Sequence, residues 1–233
     1  MNRENELQYY LSVSPNKYGI YLFDTSNLTN LYKKEIILNN DTNYQSHDEI
    51  KKFLDDNIFK IEKLSGKFIE NIFLILEDKR IFNVETGIKK KNYNTLITKE
   101  YLQNLLTEAK DLFSKNYPKQ EIMHMIINKY FINDKSYLSF QENLNSGHLA
   151  LEIQFKFISN TIVYDLNRIL ENYQIKVIKY IDGHYVKNFF GKEVELAEMS
   201  HKIINGYNQN EVIFVPKNLK KLPFFEKFFQ LFS

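Results

Sequence analysis

Two long apolar runs lie close together between residues 120 and 159, and the remaining pattern is read around them. The second, over 148–158, alternates: Leu149, Leu151, Ile153, Phe155 and Phe157 fall on one side, with Glu152, Gln154 and Lys156 on the other. That two-residue period predicts a strand with one buried face. The first, over 121–133, is denser in Ile and aromatic residues, which predicts a strand covered on both faces. A polar stretch over 134–147 joins them. A helix is predicted before the pair, capped by Thr98 with Tyr101, Leu102, Leu105, Leu106, Ala109, Leu112 and Phe113 inward. Another follows, capped by Asn160 with Ile162, Val163, Leu166, Ile169 and Leu170 inward.

Upstream, residues 1–15 read as a loosely held arm, and 17–24 with 31–38 as an antiparallel hairpin. Ser46 and Glu49 have the capping-box spacing. Ile50, Phe53, Leu54, Asn57, Ile58, Ile61 and Leu64 then repeat every 3.6 residues, and Gly66 stops the helix. Short strands are expected over 70–76, 80–91 and 174–181, a short helix over 193–205 and a last strand over 211–215. Strands and helices alternate without an internal repeat or a Pro/Gly/Ser linker, so the fold class is α/β (α+β).

Bulk composition narrows the function classes. The 233 residues are 43% hydrophobic and 26% charged with a net charge of +2, values of a globular protein without the global basic footprint of a nucleic-acid binder. With no cysteine there is no disulfide framework and no thiolate metal site, which fits a cytosolic compartment. No apolar run reaches the roughly 18 residues of a membrane span, and the polar N-terminal stretch is unlike a signal peptide. The seven glycines stand singly, so there is no Gly-rich phosphate cradle of P-loop or dinucleotide type. The five histidines are scattered; the nearest approach to a carboxylate pair, Asp182 with His184, reads as a turn, and His124 as a satisfied core residue. Asp55 and Asp56 are adjacent and point about 100° apart on a helix, so they are no acid/base pair. Lys89, Lys90 and Lys91 read as a solvated strand end. The expectation is a protein that is not an enzyme, with no catalytic, cofactor-binding or metal-binding residues.

The order of these pieces resembles the N-terminal half of the FtsA family, actin-like bacterial cell-division proteins. The helix ending at Gly66, the strand from Ile69 to Leu76, the entry Leu96-Ile-Thr-Lys-Glu-Tyr-Leu102, and Ile122-Met-His-Met-Ile-Ile127 with Tyr130 to Asp134 carry the likeness, over about residues 17–182. The resemblance implies a partial actin-like first subdomain (16–80), an inserted subdomain of SHS2 (strand-helix-strand-strand) type (81–182) and a remnant segment (183–215). It also implies divisome proteins as partners, and self-association. Actin-type ATPases cradle phosphates on two Gly-rich turns, because glycine lets backbone N–H groups approach the anion. Here Phe23 and Asp24 occupy the expected first turn, and Asp182-Gly-His-Tyr-Val186 the second. Nucleotide binding is therefore not expected, and binding of the tubulin-like division protein is in doubt because the half that carries its groove has no counterpart.

The final stretch, 216–233, has its own pattern. After Pro223, the residues Phe224, Phe225, Phe228, Phe229 and Phe232 make one aromatic face, and Lys220, Lys221 and Lys227 accompany them. A basic, Phe-rich amphipathic helix is what an interfacial anchor needs: rings among acyl chains, lysines on anionic headgroups. The plain alternative is docking on the protein's own core; FtsA proteins end in a membrane-targeting helix, which favours the membrane. These eight side chains are the expected membrane-binding residues. The leading expectation is an FtsA-like cell-division adaptor, peripheral on the cytoplasmic face of the membrane, with anionic lipids and divisome proteins as partners and no nucleic acid. The alternative is an SHS2-type peptide-binding subunit of a pilus or secretion assembly. A third reading, an enzyme using the His184 region, has the least support.

Overall fold

The computed structural model describes residues 7–38, 47–191 and 194–213. The expected capping residue Ser46 and the expected membrane-binding residues Lys220, Lys221, Phe224, Phe225, Lys227, Phe228, Phe229 and Phe232 lie outside them. The described residues fall into two compact units, one within 7–82 and 158–203 and the other within 83–157 and 204–213. Residues 83–157 of the second are thus inserted in the first, and its remaining segment, from 204, follows it. Residues 158–182, expected in the inserted subdomain, belong to the first unit, and the expected remnant 183–215 is shared between the two. No helix among the described residues is long and apolar enough to cross a membrane.

The first unit is built on a five-stranded sheet of order β3-β2-β1-β4-β9. Its members are β1 (Leu7–Ser14), β2 (Lys17–Asp24), β3 (Thr29–Ile37), β4 (Asn71–Leu76) and β9 (Lys176–Asp182). The expected hairpin over 17–24 and 31–38 is present as β2 and β3. The expected loose arm is corrected: most of it is β1, the middle strand, antiparallel to β2 and parallel to β4. Leu11 and Val13 on one face and Tyr10 and Ser12 on the other are all buried. The polar groups among them are satisfied sideways, with the Tyr10 hydroxyl donating to Gln8 Oε1 at 2.6 Å.

Helix α1 (His47–Ser65) packs Ile50, Phe53, Leu54, Ile58 and Ile61 inward as expected. Leu64 departs from the expectation and is 59% exposed. It lies within the angular width of the buried stripe, about 50° from its centre, but in the last turn, where the helix ends at Ser65. Helix α3 (Asn160–Glu171) is capped by Ser159, one residue before the expected Asn160. Helices α4 (Gly183–Phe190) and α5 (Leu196–Ile204) complete the unit.

Gly19 in β2 is required by close approach. A Cβ there would meet the Tyr21 hydroxyl at 2.5 Å and Ser12 Oγ at 2.6 Å. Tyr21 is fully buried and donates to Glu35 Oε1 at 2.7 Å, so its ring has little room to retreat. Gly19→Ala is expected to destabilise the protein by about 2 kcal/mol, the cost of overpacking a filled site, read as a lower urea midpoint.

The second unit has a four-stranded sheet, β5-β8-β6-β7. Its strands are β5 (Phe82–Leu96), β6 (Gln120–Ile132), β7 (Lys135–Tyr137) and β8 (Asn145–Ser159). The two runs that anchored the sequence reading are β6 and β8, neighbours in the sheet. Leu149, Leu151, Ile153, Phe155 and Phe157 of β8 are buried, as their alternation requires. They form one core with Leu102, Leu105, Leu106, Ala109 and Phe113 of α2 (Lys99–Asn116). The Thr98 hydroxyl accepts from Tyr101 N, the expected cap. Leu112, expected inward, is 49% exposed. The short strand β7 lies in the polar connector and was not expected.

Candidate functional site

Parallel pairing brings the carboxyl ends of β1, β4 and β9 level, with Val13 opposite Leu76 and Leu76 opposite Asp182. In an open α/β sheet this is where a ligand is ordinarily received. Four polar or charged side chains gather there: Ser14, Glu77, Asp78 and Asp182. Each has a defined engagement.

Asp78 is 4% exposed. Its carboxylate accepts from Arg80 Nε at 3.1 Å, from Arg80 Nη2 at 2.8 Å and from the Arg80 backbone N–H at 2.7 Å. A two-pronged guanidinium contact fixes both partners. Glu77 lies on the Lys187 ammonium, with both oxygens at 2.6 Å. Asp182 Oδ1 accepts from the N–H groups of His184, at 2.9 Å, and Tyr185, at 3.2 Å. The segment expected as a turn is therefore a helix start: Asp182 is the N-cap of α4. Gly183 is demanded by crowding, since a Cβ would sit 2.6 Å from the Glu77 side chain and 3.1 Å from Ile75 Cγ2.

The turn entering this edge joins β1 to β2. It was expected one hairpin later, at 22–26, because β1 was not recognised. Its residues are Ser14, Pro15, Asn16 and Lys17, with Ser14 opposite Lys17. Pro15 has no N–H to offer an anion. Ser14 Oγ turns into the turn itself, 3.1 Å from Asn16 Oδ1 and 3.0 Å from the Lys17 carbonyl. Chemically, the edge is an internal electrostatic seam. Its carboxylates are committed to an arginine, a lysine and a helix N-terminus, and their charge opposes phosphate. Among the described residues no group of three His, Asp or Glu side chains is arranged to hold a metal ion.

A second feature lies in the second unit. His124 of β6 and Glu211 are buried together, both side chains 0% exposed, with Nδ1 2.7 Å from Oε1. The backbone closes around them: Ile127 N–H donates to Asn210 O and Val212 N–H to Met125 O, each at 2.8 Å, about an antiparallel bridge between Ile126 and Glu211. The expected core role of His124 holds. Its partner was invisible in the sequence, because 87 residues separate the two.

The other singled-out residues are dispersed. His184 is exposed, and Asp55 accepts from the Tyr173 hydroxyl at 2.8 Å. Lys89, Lys90 and Lys91 lie on β5, the outer strand of its sheet, where charge discourages pairing with another chain. Lys90 Nζ contacts Glu108 at 2.6 Å.

No protein-family model and no curated protein matches the chain. Among solved structures, one described as the PilM–PilN type IV pilus biogenesis complex matches with a TM-score of 0.50 at 10% identity, over 81% of this chain and 50% of that one. The cytoplasmic domain of EpsL, an inner-membrane component of the type II secretion system of Vibrio cholerae, gives a TM-score of 0.34 at 8% identity, over 77% of this chain and 57% of that one. A Bacteroides thetaiotaomicron protein of actin-like ATPase fold and unknown function gives 0.31 at 15%, over 81% and 58%. The mixed α/β fold is shared with the pilus biogenesis structure at that TM-score of 0.50. The FtsA family that the sequence resembles is not shown by these matches. The chain spans half the length of the pilus protein structure it matches.

Proposed function

We propose that this actin-like chain is a non-enzymatic scaffold that holds a partner's peptide segment within a pilus- or secretion-type assembly. The observation that carries the reading is the seam at the ends of β1, β4 and β9. The place where an actin-type ATPase works on phosphates is here occupied by carboxylates paired internally and by a proline-bearing turn. The fold likeness to a pilus biogenesis complex supports the assembly class. In this reading the inserted unit, with β5, α2, β6 and β8 in SHS2-type order, offers the docking surface. The Phe-rich tail at 216–233 holds the protein on the anionic inner leaflet. A cell-division adaptor of FtsA type is the second reading, favoured by the same order of elements around the insertion after β4.

Two measurements on the full chain test this. Millimolar Mg-ATP is expected to leave the unfolding midpoint unchanged, whereas a site filled at about a hundred times its Kd would add about 2.7 kcal/mol of stability. Immobilised peptides from pilus-assembly proteins are expected to retain the chain in preference to the tail of the tubulin-like division protein. The reverse preference would move the reading to cell division, and ATP-dependent stabilisation would end the non-enzymatic one.

A further inference from the structure

Strand β3 forms one edge of the first unit's sheet, and among the described residues only β2 pairs with it. Which of its backbone groups face outward follows from the register. Leu38 N–H donates to Asn16 O at 2.8 Å, one step past the pairing of Lys17 with Ile37. Hydrogen-bonded pairs alternate along an antiparallel ladder, so Tyr32, Lys34 and Ile36 bond to β2. The N–H and C=O groups of Lys33, Glu35 and Ile37 therefore point away from the sheet, as an open edge.

The side chains along this edge are disposed symmetrically about Lys34. At the ends stand two large apolar residues, Leu31 at 50% and Ile37 at 79% exposed. Leu31 sits at a bulge, with Leu22 opposite Tyr32 and Phe23 opposite Asn30, so no β2 residue faces it. Next inward are Tyr32 and Ile36, both partly buried, the Tyr32 hydroxyl donating to Asn57 Oδ1 of α1 at 2.6 Å. Innermost are opposite charges, Lys33 and Glu35, 3.9 Å apart on one face. Lys33 also contacts Glu195 at 2.6 Å, and Glu35 contacts Lys17 at 2.9 Å. Their side chains remain 36% and 27% exposed, so each has room for a further partner. Single exposed apolar residues are ordinary, and lysines usually guard an edge against pairing. Here the order apolar, positive, axis, negative, apolar is complementary to its own reverse.

We infer that β3 is a self-association surface, to which a second copy of this chain adds its own β3, antiparallel and centred on Lys34. Leu31 then lies opposite Ile37 of the second copy and Lys33 opposite its Glu35. Each pair occurs twice by symmetry, as an isologous interface requires. The outward backbone groups of Lys33 and Glu35 bond across the axis, and opposite charges at facing positions favour the pairing. Lys34 meets its own copy at a closely spaced, non-hydrogen-bonded position, which is the mismatch in this register. An edge this short buries less than about 1,200 Å2, so the dimer is weak, with a Kd of about 0.1 mM. Neither the tail nor the assembly proposed above is needed for this pairing.

Sedimentation of the full chain from about 1 µM to about 1 mM is expected to show a monomer–dimer equilibrium. Amide exchange over the same range reads the register. The amides of Lys33, Glu35 and Ile37 should gain protection as dimer forms, whereas those of Tyr32, Lys34 and Ile36 are protected throughout. Ile37→Pro removes an outward N–H that β2 does not use, a change an edge strand tolerates, and should weaken association about tenfold. Lys34→Glu gives a readout that does not depend on how the proline variant folds. An equal mixture of Lys34→Glu with the unchanged chain should associate about fivefold more tightly than either alone, because the like charges on the axis become opposite. A chain that stays monomeric to about 1 mM, or a dimer whose outward amides exchange freely, overturns the inference. Protection of those amides already in the monomer does so too, since the edge would then be covered by the chain itself. So does a mixture that associates no more tightly than its components.

Discussion

Replacing Phe113 by alanine is expected to cost about 4 kcal/mol, the upper part of the range for a large-to-small change in a filled core. The ring is 5% exposed at the end of α2. It stacks on Phe155 with centroids 4.3 Å apart and planes at 17°, on Tyr117 at 4.7 Å and 26°, and meets Phe157 at 5.2 Å and 60°. These contacts join the last turn of α2 to the hydrophobic face of β8, so the cavity would open between two elements that cannot close it without sliding. Aromatic pairing adds about 1 kcal/mol beyond area burial for a good stack. Leu112→Ala, one residue earlier but half exposed, is the control and should change stability by about 0.5 kcal/mol. Urea unfolding with a constant m-value measures both. Equal effects would mean that the helix face is assigned wrongly.

Glu211→Ala is expected to cost about 3 kcal/mol, the usual penalty for removing one partner of a buried polar pair. The loss falls on His124, whose Nδ1 gives up its Oε1 contact, and on the short backbone pairing of 210–212 with β6. A double-mutant cycle separates these contributions. If the pair is coupled, His124→Ala added to Glu211→Ala should cost clearly less than the sum of the two single changes. Hydrogen exchange supplies a local readout, because the Ile127 amide, bonded to Asn210 O, should lose protection first. Strict additivity, with that amide still protected, would show that 208–213 is held by something other than the pair.

The parts of the fold that were legible in the sequence are those where one periodicity was enforced by one buried face. The alternation of Leu149 to Phe157 gave β8, and the helical period from Leu102 to Phe113 with its Thr98 cap gave α2. Strand β1 escaped notice because both of its faces are buried while its composition stays polar: Gln8, Ser12 and Ser14 are paired laterally with tyrosine hydroxyls and turn groups. Missing that strand also moved the expected phosphate turn by one hairpin, from Ser14–Lys17 to 22–26. Leu64 and Leu112 were assigned inward on helical spacing alone, yet Leu64 stands in the last turn of its helix and Leu112 at the margin of its stripe, where burial depends on what the neighbouring element covers. At the seam, Asp182 and His184 were noticed as a pair and, with Gly183 between them, read as a turn. The reason for the glycine is the Glu77 side chain more than a hundred residues away, a contact that no local pattern encodes. The same holds for Glu211 opposite His124.

The insertion of residues 83–157 between the two segments of the first unit sets an order of events during synthesis. Strand β4 leaves the ribosome early and must pair with β9, its register running from Asn71 opposite Lys176 to Leu76 opposite Asp182. For the intervening hundred residues or so, one side of β4 has no strand to bond, and the seam that Lys187 and Asp182 complete does not yet exist. Meanwhile β5, α2, β6 and β8 emerge consecutively and can form their own core. Loop closure over such a span costs little more than over half of it, so the delay is a matter of exposure time and not of stability. A nascent chain halted before residue 176 therefore carries an open apolar edge, Ile72, Leu74 and Ile75, and is the species from which aggregation would start.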